Sequence, residues 1–146
     1  MRRDYLVYPM MIGAQSGIIW SYNDSNIIST FDNVNPLHVS FNQCNNLSIC
    51  LWYVSPLQSL NDSADTQYAL LGEWNKWTAV SKQRFTSIVT DTKKNEATVT
   101  VEGVSGETVL VVVFHSVLLA LTINCPISAV NGQTHLVITP SNVVCS

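Results

Sequence analysis

The sequence predicts an all-β fold, an antiparallel two-sheet β-sandwich stabilised by disulfides, with a β-barrel as the alternative closure. Three observations carry that reading. From Ala97 to Cys145 the chain is a train of short β-branched runs (ATVTVE, TVLVVVF, LLALTINC, THLVITP) separated by turn residues. Apolar residues nowhere recur at helical spacing through three turns, so no helix is predicted beyond one short turn within Ser59–Leu71. Four cysteines, Cys44, Cys50, Cys125 and Cys145, form an even set at the ends of loop and strand segments.

Taken in order, the elements are short. MRRDYLVYPMMIGAQS has a positive start and a brief apolar run, but Asp4 and Pro9 interrupt it. That makes a poor signal peptide, and Tyr5–Tyr8 reads equally as a first strand. Further strands are expected at Gly17–Tyr22, Ile27–Phe31, Leu37–Phe41 and Ile49–Val54, separated by Asn- and Asp-rich turns. LHVSF alternates cleanly, with Leu37, Val39 and Phe41 on one face. Residues Ser55–Thr66 read as a polar loop, after which YALLGEW resumes the strand pattern. ATVTVEGVSGETVLVVV reads as a hairpin, with Val99 and Val101 inward and Gly103 and Gly106 in its connection. The unbroken run Val109–Phe114 belongs at the centre of a sheet, with Val111 and Val113 on one face and Leu110 and Val112 on the other, all in the core. The apolar stretch Val109–Ile123 falls short of the roughly 20 residues a spanning helix needs, so two buried strands joined at FHSV are expected and no membrane span. The whole of 1–146 reads as a single sandwich domain, the C-terminal part of a longer secreted protein.

Composition narrows the class of partner. Charged residues are 12% of the chain and the net charge is −3, with no row of Lys and Arg. A nucleic-acid surface needs such a row to displace counterions, so no nucleic acid is expected. Surface polarity comes instead from 16 Ser, 12 Thr and 13 Asn. Three N-x-[ST] sequons, at Asn23, Asn46 and Asn61, lie in turn-like segments. Three cysteine pairings are possible, and the local ones, Cys44–Cys50 and Cys125–Cys145, are expected. Zinc sites want shorter Cys spacings or paired histidines, whereas His38, His115 and His135 are isolated; neither a metal nor a cofactor is predicted. Together these features place the protein in the secretory pathway or outside the cell, as a glycoprotein.

Signals for chemistry are sparse. The chain has no G-x-S-x-G elbow, H-E-x-x-H, P-loop or G-x-G-x-x-G. Asp62, Asp65 and Glu73 are the one cluster of acids near aromatic residues, but a sandwich of this size offers little material for a deep hydrolytic cleft. The suggestive segment is LGEWNKWT. Glu73, Trp74, Asn75 and Trp77 combine flat indoles with hydrogen-bonding side chains, the requirement of a saccharide platform; the same indoles also suit a sandwich core. A neutral saccharide is the expected ligand, bound without strong salt dependence. Arg84 is expected to pair with Glu73.

The segments YALLGEWNKWTAVSKQRFTSI and VTVEGVSGETVLVVV resemble the C-terminal β-sandwich domains appended to secreted glycoside hydrolases. The resemblance implies carbohydrate biology and carries over no catalytic residue. The reading is therefore a non-catalytic extracellular module, a carbohydrate-binding or accessory domain associated with a secreted glycosidase. Two alternatives stand beside it: a structural or adhesive subunit that self-associates through strand edges, and a small hydrolase.

Overall fold

Residues that alternate Val with Thr form strands with one dry face and one wet face, and a strand with one dry face must find another sheet to cover it. The computed structural model of the chain describes residues 5–21, 28–39, 51–74 and 76–146. Among them every regular element is a β-strand except one 3-10 turn, Pro9–Ile12. All strand pairs are antiparallel, and no described sheet closes on itself into a barrel. No helix among the described residues is long and apolar enough to cross a membrane. The chain divides into two compact units, 1–57 and 58–146.

The first unit holds β1 (Tyr5–Val7), β2 (Ser16–Ser21), β3 (Ile28–Asp32), β4 (Leu37–Val39) and β5 (Trp52–Pro56). Strand β2 is central in the order β3-β2-β5, and β1 pairs with β4. Ile18, Ile19 and Trp20 are buried on the central strand, and the Trp20 ring stacks on Tyr53 of β5 at 5.1 Å between centroids. Trp20 is therefore a packing residue. Trp52 is half-buried, and its indole N–H is enclosed without a hydrogen-bond partner among the described residues. The turn into β4 is closed by Asp32, whose Oδ1 accepts the N–H groups of Val34 (2.8 Å) and Asn35 (2.6 Å). Those backbone bonds, Asn35 foremost, hold its carboxyl below the usual range. Cys44, Cys50, Asn23 and Asn46 lie outside the described residues, as do Phe41 and the start of the strand expected at Ile49.

The second unit is a sandwich. Its strands are β6 (Gln58–Ser59), β7 (Gln67–Glu73), β8 (Phe85–Asp91), β9 (Glu96–Glu102), β10 (Thr108–His115), β11 (Leu119–Pro126), β12 (Gln133–Thr139) and β13 (Asn142–Cys145). One sheet runs β11-β10-β7-β6 and the other β13-β12-β9-β8. The core contains Leu70, Val109, Val111, Val113 and Cys125 from the first sheet, with Phe85, Ala97, Val99, Val101, Leu136 and Ile138 from the second.

Three expectations are corrected by the strand pairing and burial. β9 and β10 are not a hairpin: β9 pairs with β8 and β12, and β10 pairs with β7 and β11. The segment 103–107 is an arch that carries the chain from one sheet to the other. It is closed by Glu107 N–H to the Val104 carbonyl (2.9 Å) and Gly103 N–H to the Gly132 carbonyl (3.0 Å). Val99 and Val101 do face inward, into the same core as Val109, Val111 and Val113 of β10. The expected hairpin about FHSV does form, between β10 and β11. Its second strand is a mostly exposed edge, contrary to the expectation of two buried strands. Leu110 departs as well. It is 40% exposed, whereas Val111, Val112 and Val113 are buried.

Crossovers and hairpins sit at opposite ends. The segments between β7 and β8, β9 and β10, and β11 and β12 all cross between sheets at one end, whereas the turns joining β6–β7, β8–β9, β10–β11 and β12–β13 lie at the other. Two devices tie the sheets together. His115 is fully buried at the hairpin end. Its Nδ1 accepts the N–H groups of Val117 (3.2 Å) and Leu118 (3.1 Å), so the proton sits on Nε2, which donates to the Thr139 carbonyl of the opposite sheet (3.0 Å). The expected disulfide Cys125–Cys145 joins β11 to β13, edge strands of different sheets, with Cα atoms 5.1 Å apart.

Two outcomes test this architecture. Peptide mapping of the non-reduced protein should recover Cys125 linked to Cys145, and the paired Ser variant should lose roughly 3 kcal/mol in chemical denaturation, the chain-entropy value for a loop of this size. Val111→Asp should prevent folding, because an unpaired buried charge outweighs a stability of roughly 5–15 kcal/mol. Leu110→Asp on the same strand should fold. Circular dichroism of the two variants separates the neighbours; equal behaviour would contradict the faces assigned to β10.

Candidate functional site

The crossover end brings three polar, irregular segments together, and a fault in β7 starts the arrangement. The pairing of β7 with β10 skips Leu71: Val113 lies opposite Leu70 and Val112 opposite Gly72. Such bulges redirect the residues that follow. Gly72 adopts φ +102, and a Cβ on it would come within 2.2 Å of the Ala79 carbonyl oxygen; this position requires glycine. The Glu73 N–H donates to that carbonyl (2.7 Å), and the Trp74 N–H donates to the Leu110 carbonyl (2.8 Å). The 74–84 crossover is thereby folded back over the end of its own strand.

Between this crossover and the other two lies a cleft of about 870 Å³. Lys76, Trp77, Thr78, Ser81 and Gln83 line it from the first crossover, Gly103, Val104 and Glu107 from the 103–107 arch, and Asn131 and Gly132 from the third segment. Glu73, Arg84 and Glu102 complete it at the strand ends. The volume falls within the roughly 300–1,000 Å³ of small-molecule sites.

Arg84 organises the charges. Its Nε donates to Glu73 Oε2 (3.1 Å), one terminal nitrogen donates to the Glu102 carbonyl (2.7 Å) and to Glu107 Oε2 (3.0 Å), and the other to Glu107 Oε1 (2.9 Å). The fork on Glu107 is bidentate, the geometry in which a guanidinium holds a carboxylate best. It ties the end of β7, the start of β8, the end of β9 and the arch into one network. Glu107 is held below the usual carboxylate range, first by the Arg84 hydrogen bond and then by the Val104 N–H (3.0 Å). Lys76 adds a looser contact to Glu73 at 3.8 Å. Glu102 stands apart. Its Oε1 accepts from Gln133 Nε2 (2.8 Å), and among the described residues its carboxylate joins no ion pair.

The four residues singled out in LGEWNKWT separate. Glu73 and Trp77 line the cleft; Trp77 is 71% exposed. Trp74 is 37% exposed and is not among the lining residues. Asn75 lies outside the described residues. The expected Arg84–Glu73 pair is present, but sequence reading missed its stronger partner, Glu107. The signal was the polar GVSGE arch: once it is read as a crossover, Glu107 must return toward the 74–84 segment. Asp62 and Asp65 do not join Glu73. They sit in the turn between β6 and β7 at the hairpin end, where Asp65 accepts from the Ser63 hydroxyl (2.5 Å). Asn61 lies in that same turn, and its Oδ1 accepts the Asp65 N–H (3.2 Å). No group of three or more His, Cys, Asp or Glu among the described residues is arranged to hold a metal ion.

Comparison with known proteins finds no matching family model, curated protein or solved structure.

The Arg84–Glu107 pair gives a pH signature. Because the folded carboxyl is depressed, it stabilises the fold at neutral pH, and the contribution is lost as pH falls. Glu107→Gln should be less stable than the parent by about 1 kcal/mol at neutral pH, the scale of a partly exposed ion pair. The gap should begin to close near 4.5, the ordinary carboxyl value, and vanish at lower pH. Thermal melts of both proteins across this range check the sign; a gap that widens in acid would contradict the assignment.

Proposed function

We propose that residues 58–146 act as a non-catalytic saccharide-binding or accessory module of an extracellular protein, using the cleft at the crossover end. The observation that carries the reading is Trp77, an indole left largely in water at the edge of a cleft lined by hydroxyl, amide and carboxylate groups. A flat aromatic face matches the C–H face of a pyranose, and Thr78, Ser81, Gln83 and Asn131 supply both donors and acceptors for its hydroxyls. Association with a secreted glycosidase rests on the resemblance of 68–113 to such accessory domains. The Cys125–Cys145 disulfide favours an oxidising compartment, and N-glycosylation at Asn61, in its turn, belongs to the same reading.

The charges favour binding over hydrolysis. Glycoside cleavage needs a carboxylic acid that keeps its proton until the leaving oxygen takes it. Glu107 is held in the opposite state by Arg84, and Glu73 shares that guanidinium. Both carboxylates serve the positioning of the crossovers. A self-associating subunit is the second reading. It is favoured by β8, an edge strand whose FTSIVT run carries no charge or proline and exposes Ile88 and Val89.

Trp77→Ala should weaken saccharide binding at least about tenfold, equivalent to about 1.4 kcal/mol, while the variant still folds. Trp74→Ala should leave affinity nearly unchanged. Screening the protein on a glycan array and titrating the best ligand against both variants checks this. If no glycan binds, and sedimentation shows reversible oligomers that Val89→Lys abolishes, the self-association reading replaces it.

A further inference from the structure

We infer that the cleft selects an amino sugar, a pyranose bearing a protonated amine, over its neutral and acidic counterparts, with the Glu102 carboxylate as the counter-ion. This rests on the saccharide reading above and refines the neutral ligand expected from composition.

The charges on the residues lining the cleft do not balance. Glu73, Glu102 and Glu107 face the cleft against Lys76 and Arg84. Arg84 is committed to Glu107 through two bonds, to Glu73 through a third and to the Glu102 carbonyl through a fourth. The Lys76 ammonium leans on Glu73. One carboxylate is left without a cation among the described residues, that of Glu102, and its one hydrogen bond comes from a neutral amide, Gln133 Nε2. The last position of β9, opposite Gln133 in the sheet register, holds Glu102 at a fixed place on the cleft wall. Beside the protein surface an uncompensated charge is screened less than in open water.

The ligand chemistry follows from what the site can and cannot satisfy. A uronic acid would bring a further negative charge to a cleft whose guanidinium is already occupied. A neutral sugar can stack on Trp77 and donate hydroxyl protons to Glu102, but it leaves the charge unbalanced. An ammonium group on the ring supplies the missing positive charge and several donors, while the C–H face keeps its contact with the indole.

The test titrates three oligosaccharides of equal length into the full chain at mildly acidic pH: a glucosamine oligomer, its N-acetylated form and an oligogalacturonate. The expected order is the glucosamine oligomer first, by about tenfold over the N-acetylated form, with the oligogalacturonate weakest. That preference should shrink at high salt, because it is ionic, and disappear in Glu102→Gln. Glu96→Gln, at the far end of β9, should retain it. Equal or tighter binding of the N-acetylated oligomer, or a preference that survives Glu102→Gln, overturns this inference and leaves the saccharide reading standing. Absence of binding by all three, or binding that is indifferent to Trp77→Ala, overturns both.

Discussion

Val99 and Val101 on β9 and Val111 and Val113 on β10 belong to one dry layer, and residues 58–146 are arranged around keeping that layer closed. Each fully buried valine removes apolar surface worth on the order of 1.5–3 kcal/mol from water, a share of what offsets the conformational entropy lost when the strands are ordered. The two strands that carry them are joined by five residues, 103–107, and lie in different sheets. Such a short link can only arch across the edge of the layer. Its polar groups must then be satisfied outside the core, and Arg84, Glu107 and the Gly103–Gly132 bond supply that satisfaction. The cleft is thus a by-product of closing the sandwich: the three crossovers meet at one end because the strands they connect leave the layer there.

Strand positions were largely legible in the sequence because side-chain alternation is a local property. Leu37–Val39, Glu96–Glu102 and Gln133–Thr139 all lie where the period of two places them. The disulfide Cys125–Cys145 was legible because both cysteines close strand segments. Pairing was less so. ATVTVEGVSGETVLVVV gives the same inward and outward pattern whether its halves lie side by side or face to face, since burial of one face is all that alternation records. Leu110 shows the same limit. An unbroken apolar run names a central strand, but it does not say which outward position the neighbouring segments leave open.

The candidate site was half visible. GEWNKW announced itself through its aromatics, and Trp77 does line the cleft, but the partners that give it chemical character come from elsewhere. Glu102, Glu107 and Asn131 lie 25 or more positions further along the chain, each ordinary in its local context. Only the crossover topology brings them together. Gly72 was the one local hint that β7 would not run straight, since an isolated glycine in a strand pattern marks a bulge or a close backbone approach; here it marks both.

The order of the hairpins has a consequence for how this unit assembles. β6–β7 and β10–β11 make one sheet, β8–β9 and β12–β13 the other, so along the chain the two sheets take hairpins in turn. Neither sheet can be completed before the chain has contributed to the other. The central pairings, β7 with β10 and β9 with β12, therefore close only after a whole intervening hairpin has been accommodated. Non-local pairing of this kind raises contact order and slows folding. It also leaves neither sheet to be assembled from one contiguous half of the unit, the topology expected to unfold cooperatively. A protease nick in the 103–107 arch would leave each sheet built from strands of both fragments.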